Sequence, residues 1–113
     1  MDLNSDISKE NVEKALEAVE IAKKTGKIKK GTNEVTKAIE RGVAKLVLVA
    51  KDVNPKEVIM HLPALCKEKN IPLIPVNTKE ELGNAAGIPV PTSAIAVIKE
   101  GESAKLIKEL SSL

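Results

Sequence analysis

Leu46-Val47-Leu48-Val49-Ala50 is an unbroken apolar run, partly β-branched, set between Lys45 and Lys51. With no polar residue on either alternating face, it reads as a strand buried on both sides. Such a strand needs layers of other structure above and below it, and the flanking sequence supplies them in alternation. Ahead of the run, Val12, Ala15, Leu16, Val19 and Ala22 recur at three and four residues from Lys9 to about Lys24, the stripe of an amphipathic helix that Gly26 ends. Lys27 to Lys30 reads as a short basic strand. A second helix over 33–41 turns Val35, Ala38 and Ile39 inward and closes at Gly42.

Beyond the run, Asn54-Pro55-Lys56-Glu57 has the form of a capping box with proline at the first helical position. The spacing predicts a helix over about 55–69 that buries Val58, Ile59, Leu62, Leu65 and Cys66, kinked at Pro63. Leu73-Ile74-Pro75-Val76 follows as a strand, and Pro75, which lacks a ladder donor, favours an edge or a bulge. Thr78-Lys79-Glu80-Glu81 is a second capping box, opening a short helix that Gly87 terminates. Ile88-Pro89-Val90-Pro91-Thr92 is a stiff loop expected to expose two aliphatics, Ile88 and Val90. Ala94-Ile95-Ala96-Val97-Ile98 is another buried strand, and Glu102 to Leu110 sets Leu106, Ile107 and Leu110 on one face of a closing helix. Residues 1 to 8 are expected to be loose. Alternation of this kind implies an α/β fold: a three-layer α-β-α sandwich with a central mixed sheet of about four strands, residues 1–113 forming one domain.

The net charge is only +2, but eight basic side chains lie between Lys23 and Lys45 against Glu34 and Glu40, so that segment alone carries +6. A concentrated basic stripe is the footprint of a polyanion site, although a solvated lysine-rich surface gives the same count. The chain has no Phe, Tyr or Trp, which excludes recognition by stacking bases on aromatic platforms. No apolar run approaches the roughly 20 residues that span a bilayer, so no membrane partner is expected. The polar, acidic start Met1-Asp2-Leu3-Asn4-Ser5-Asp6 is unlike a secretory signal. The lone Cys66 has no partner for an internal disulfide, which points to a reducing, cytoplasmic setting.

Catalytic and metal-binding patterns do not assemble. His61 and Cys66 are five residues apart, on different faces of a helix, and no further ligands are spaced to join them. Gly83-Asn84-Ala85-Ala86-Gly87 lacks the Gly-Lys-Ser/Thr of a phosphate loop and reads as a helix end. Asp52, Glu57 and Glu81 are the available carboxylates for paired acid–base work, but the last two are taken as capping partners. No enzyme activity, cofactor or metal is therefore expected.

What remains is Lys27-Ile28-Lys29-Lys30-Gly31-Thr32-Asn33-Glu34-Val35-Thr36-Lys37, a basic strand running through a glycine into a helix start. Gly31 permits the turn, and Thr32 is the expected N-cap. Asn33 and Lys37, four residues apart, share a helical face with Glu34 beside them. An amide, a carboxylate and an ammonium at the positive end of a helix suit a partner with phosphates to hold and polar edges to read.

The stretch Gly31 to Gly42 closely resembles the signature of the archaeal kink-turn-binding large-ribosomal-subunit protein family. The resemblance continues through Ala44-Lys45-Leu46-Val47, Asp52-Val53-Asn54-Pro55, His61 to Cys66, Asn70-Ile71-Pro72 and Leu82 to Pro91, in order, over roughly residues 9–110. It implies an RNA-binding protein that recognises kink-turns, in which a three-nucleotide bulge and tandem sheared G·A pairs bend a helix sharply. The RNA partners so implied are 23S ribosomal RNA, box C/D and H/ACA guide RNAs and ribonuclease P RNA, within ribonucleoproteins that supply protein partners. The free protein is expected to be a monomer. The resemblance assigns base reading to Asn33, Glu34 and Lys37 and bulge contact to Ile88, Pro89 and Val90. Lys27, Lys29, Lys30, Gly31, Thr32 and Arg41 would lie along the phosphate backbone. Two departures stand out: the aromatic residues common in the strand matching Leu73 to Val76 and near the N-terminus are absent, and Pro89 replaces a residue that is often polar or acidic. The rivals are a paralogue of this fold with another RNA or protein partner, and a small α/β nucleotide-binding enzyme using residues 32–34 as a phosphate site.

Overall fold

Ser8 opens the first helix, its hydroxyl accepting from the Asn11 amide at 3.2 Å, in a computed structural model that describes residues 8–112. Of the segment expected to be loose, residues 1–7 lie outside the described residues, whereas Ser8 is a defined N-cap. Helix α1 (Lys9–Thr25) buries Ala15, Ala18, Val19 and Ala22, and the Gly26 amide closes it on the Ala22 carbonyl at 2.7 Å. Glycine is required at 26 by proximity: a Cβ there would collide with the Lys99 carbonyl oxygen, where the chain passes from α1 into β1 (Lys27–Lys30).

After β1 come α2 (Thr32–Glu40), β2 (Leu46–Ala50), α3 (Leu62–Glu68), β3 (Leu73–Val76), α4 (Lys79–Ala85), β4 (Ala94–Lys99) and α5 (Ala104–Ser111). The four strands form one mixed sheet in the order β1-β4-β2-β3. β2 pairs with β3 in parallel and with β4 in antiparallel fashion, and β1 is antiparallel to β4. All five residues of β2 are buried, as its apolar run requires, because helices cover the sheet on both faces: α1 packs with α4 and α5, and α2 packs with α3. Pro75 sits in edge strand β3, where its missing N–H costs no ladder bond. The core holds no aromatic ring and is aliphatic apart from Cys66, with Leu46, Leu48, Ile39, Ile74, Leu82 and Ile95 among its largest fully buried side chains.

The segment 55–69 differs from the expected single helix. A 3-10 turn covers Lys56–Val58, and α3 begins only at Leu62. The reason is Pro63. In a continuous helix its ring would clash with the Ile59 carbonyl; at the second position of a new helix its absent N–H is not needed. Pro63 therefore starts a helix instead of kinking one. Pro55 is extended, at φ −75° and ψ 151°, and no side chain caps the 3-10 turn, so the capping box expected at Asn54 and Glu57 does not form. Val58, expected inside, is 41% exposed; Ile59, Leu62 and Cys66 are buried, and Leu65 is partly so.

Thr78 does cap α4, accepting from the Glu81 amide at 3.1 Å. Asp52 caps another first-turn amide, its Oδ1 accepting from the Lys79 N–H at 2.9 Å. Asp52 is thus a structural cap at a helix N-terminus, a place that favours negative charge. Cys66 is 1% exposed, and burial pushes its thiol from 9.0 up to about 12. The folded chain keeps that proton as pH rises past 9, where an unfolded thiol loses it, so this group disfavours folding progressively from about pH 9 to 12. The native protein is expected to resist iodoacetamide at pH 8 over hours in which the urea-unfolded chain alkylates fully; equal labelling of both forms would contradict the burial of Cys66.

Candidate nucleic-acid interface

The parallel strands β1, β2 and β3 end at one pole of the sheet, where β4 begins. This is the carboxyl end of the parallel strands, the usual ligand side of open α/β sheets. Four backbone links knit the pole together. The Gly31 amide donates to the Ala94 carbonyl at 2.9 Å, Ala50 to Ser93 at 3.0 Å, Lys51 to Val76 at 2.8 Å, and Thr92 to Lys79 at 3.1 Å. The start of α2 and the segment after the 88–91 loop are therefore held side by side.

Gly31, at φ 90° and ψ 150°, takes the N-cap position itself, in a conformation that side chains disfavour. Thr32, expected to be the cap, is instead the first helical residue. Its hydroxyl shares a 2.7 Å hydrogen bond with the Ser93 hydroxyl and so ties α2 to the far side of the pole. The displacement follows from the glycine: with the turn made at 31, the helix begins one residue earlier than the threonine needs in order to cap it. Among the described residues no side chain caps α2, which leaves its first-turn amides open to a ligand.

Asn33, Glu34 and Lys37 are all exposed on the first turn and a half of α2. Lys37 Nζ lies 3.8 Å from Glu34 Oε1, with both side chains about half accessible. A pair so exposed is worth little in water, so both groups exchange readily to a partner. Behind them Thr36 accepts or donates at His61 Nε2 (2.8 Å), fixing α2 against the start of α3. His61 is an exposed brace, and among the described residues no group of three or more His, Cys, Asp or Glu is placed to hold a metal.

The structure divides the phosphate candidates. Lys30, Gly31 and Thr32 sit at the pole beside Asn33, with Lys29 one residue back and partly buried. Lys27 pairs with Lys99 at the other end of β1, about 10 Å away by strand rise. Arg41 caps the far end of α2, about 12 Å along the helix from Asn33. Neither of these last two is at the pole.

The loop forms the second wall. Val90 is 58% exposed and Pro89 is exposed, but Ile88, expected to be displayed, packs partly against the core. Its amide is tied to the Gly83 carbonyl at 3.1 Å, which draws the side chain inward. Together with Glu80 and Asn84 of α4, Ile88 to Pro91 border a groove of about 310 Å³. Gly83 lies under the loop so closely that a Cβ would strike the Val90 carbonyl. Glu80, Asn84 and Ser93 escaped the sequence reading, since nothing local marks them. Gly83, read from the sequence as part of a helix end, lies inside α4; the signal missed was that a glycine within a helix costs about 1 kcal/mol against alanine and asks for a close neighbour.

A mixed four-stranded sheet between helical layers, with an uncapped, lysine-flanked helix start and a proline-stiffened loop at one end, defines an α/β/α protein with an exposed polar pole. Residues 13–107 match the ribosomal protein L7Ae/L30e/S12e/Gadd45 family, and the chain belongs to that family. Among solved structures it is similar to the Giardia lamblia 15.5kD RNA binding protein, at 30% identity and a TM-score of 0.90, over 97% of this chain and 92% of that one. The family relationship expected from Gly31 to Gly42 and the later motifs holds at this level.

Proposed function

We propose that this chain is a non-enzymatic RNA-binding protein whose Asn33 pole reads kink-turns. The observation that supports the reading is the 2.7 Å Thr32–Ser93 bond, which ties the start of α2, next to the exposed Asn33, to the segment that follows the 88–91 loop. The Giardia neighbour is named as an RNA-binding protein, and its similarity spans nearly the whole chain. In a sheared G·A pair guanine pairs through its sugar edge, leaving O6 and N1–H free. Asn33 and Lys37 donate to O6, and Glu34 accepts from N1–H or an amino group. A-form RNA hides its major groove, and a kink opens it. The α2 amides, Lys29 and Lys30 hold the phosphates around the bend. Val90, stiffened by Pro89 and Pro91, covers an unstacked bulge base and so replaces the aromatic platform this chain lacks. Ribosomal RNA, box C/D and H/ACA guide RNAs and ribonuclease P RNA are the proposed ligands, bound in the cytoplasm by a protein that is monomeric when free.

A fluorophore pair on the two stems of a kink-turn RNA tests the reading. Protein should raise energy transfer as the stems close, and an RNA with uninterrupted pairing should stay straight; equal transfer from both would overturn it. Lys30→Ala should weaken binding to all RNAs alike and lower the slope of log affinity against log salt by about 1. A loss confined to the kink-turn would instead make Lys30 a base-reading residue.

A further inference from the structure

At the end of the sheet opposite the Asn33 pole, the starts of β2 and β3 and the body of α5 enclose a cleft of about 510 Å³. Ala44, Ile71 and Ile107 form its apolar lining, and Lys45, Lys69 and Lys108 stand around it. All three lysines are exposed, and none makes an ion pair among the described residues. Glu100 also borders the cleft, leaving the lining with a surplus of positive charge. The basic surface continues outward: Arg41 precedes Gly42 on the rim, and Lys27 faces Lys99 across the sheet at this end. Lys27, Arg41 and Lys45 all belong to the basic stripe, and none of the three is at the Asn33 pole.

A concave apolar lining inside a ring of lysines has two chemical demands. A phosphate backbone meets the charge but has no use for the recess, whereas an aliphatic side chain alone leaves the lysines without partners. A peptide that carries carboxylates on either side of one aliphatic residue meets both. We propose that this cleft docks an acidic segment of a protein partner, its aliphatic side chain seated against Ile71 and Ile107 and its carboxylates on Lys45, Lys69 and Lys108. The length of α2 separates the cleft from the Asn33 pole, about 14 Å for its nine residues, so peptide and RNA are held together without competing. Peptide docking goes beyond the RNA reading and does not depend on it.

Fluorescein-labelled Glu-Glu-Leu-Glu-Glu, titrated onto the full chain and followed by anisotropy, tests it. Glu-Glu-Leu-Glu-Glu should bind, Glu-Glu-Ser-Glu-Glu should bind several-fold more weakly, and Lys-Lys-Leu-Lys-Lys should not bind. The K45E/K69E/K108E variant should weaken the first peptide about tenfold or more, since three exposed contacts worth a few-fold each compound. The alanine triple variant should move the same way, to a smaller extent. Both variants should keep the wild-type circular dichroism and their preference for a kink-turn over a fully paired RNA. Failure of the peptide to bind, or unchanged binding to the charge-reversed variant, overturns the proposal. So does displacement of the peptide by oligouridylate acting through the same three lysines, which would make the cleft a nucleic-acid site. Kink-turn binding is read separately, so either proposal can fail alone.

Discussion

Replacing Asn33 or Glu34 with alanine is expected to weaken kink-turn binding by about 1–3 kcal/mol, the scale of one good base contact. Affinity for a fully paired control RNA should barely change. Because Gly31 turns the chain and the Thr32 hydroxyl is spent on Ser93, the start of α2 is held without using the side chains of Asn33, Glu34 or Lys37. Asn33 and Glu34 are exposed and contribute nothing to the core, so their loss leaves the fold intact. Glu34 also loses its 3.8 Å partner Lys37, but that exposed pair is too weak to matter to stability. Filter binding of each variant to both RNAs, with melting temperatures alongside, separates the cases. Equal weakening of both RNAs would remove the base-reading role.

The second large effect is expected from Gly83→Ala. The added Cβ would meet the Val90 carbonyl oxygen and stand 3.2 Å from the Pro91 Cα. Those are backbone atoms of a loop that holds two prolines, so the loop must move as a unit. Relieving such a contact costs about 1–3 kcal/mol, partly offset by about 1 kcal/mol from better helix propensity. Kink-turn affinity should fall about tenfold, or 1.4 kcal/mol, because the displaced loop no longer faces the bulge. Val90→Ala should reproduce the binding loss without the stability loss, since Val90 is 58% exposed. If Gly83→Ala destabilised the protein and left RNA affinity unchanged, the loop would have no part in recognition.

The sheet was legible because apolar runs carry their own period. Leu46 to Ala50 and Ala94 to Ile98 have no polar face to lose, and both are central strands. Pro75 announced an edge, and β3 is one. The misreading at 55–69 came from two prolines that each admit a helix start. Pro55 lies outside any helix, and Pro63 opens the real one. With Pro63 opening the helix, the segment between the two prolines leaves Val58 and Met60 exposed.

The candidate site was legible in its residues and less so in its supports. Asn33, Glu34 and Lys37 share a face by helical arithmetic alone. The Thr32–Ser93 tie spans 61 residues and the Lys79–Asp52 cap spans 27, and neither pattern exists at short range. The spatial division of the basic stripe was hidden for a similar reason. Consecutive in sequence, it is split by the directions of β1 and α2, which carry Lys27 and Arg41 to the far pole.

The central claim is that the Asn33 pole distinguishes a kink-turn from a straight helix. A gel-shift titration with a kink-turn hairpin, and with the same hairpin whose sheared G·A pairs are replaced by Watson–Crick pairs, measures this directly. At one fixed salt concentration the kink-turn should bind at least about thirtyfold more tightly, the lower end of two base contacts at about 1–3 kcal/mol each. Equal affinity for the two RNAs would contradict the account.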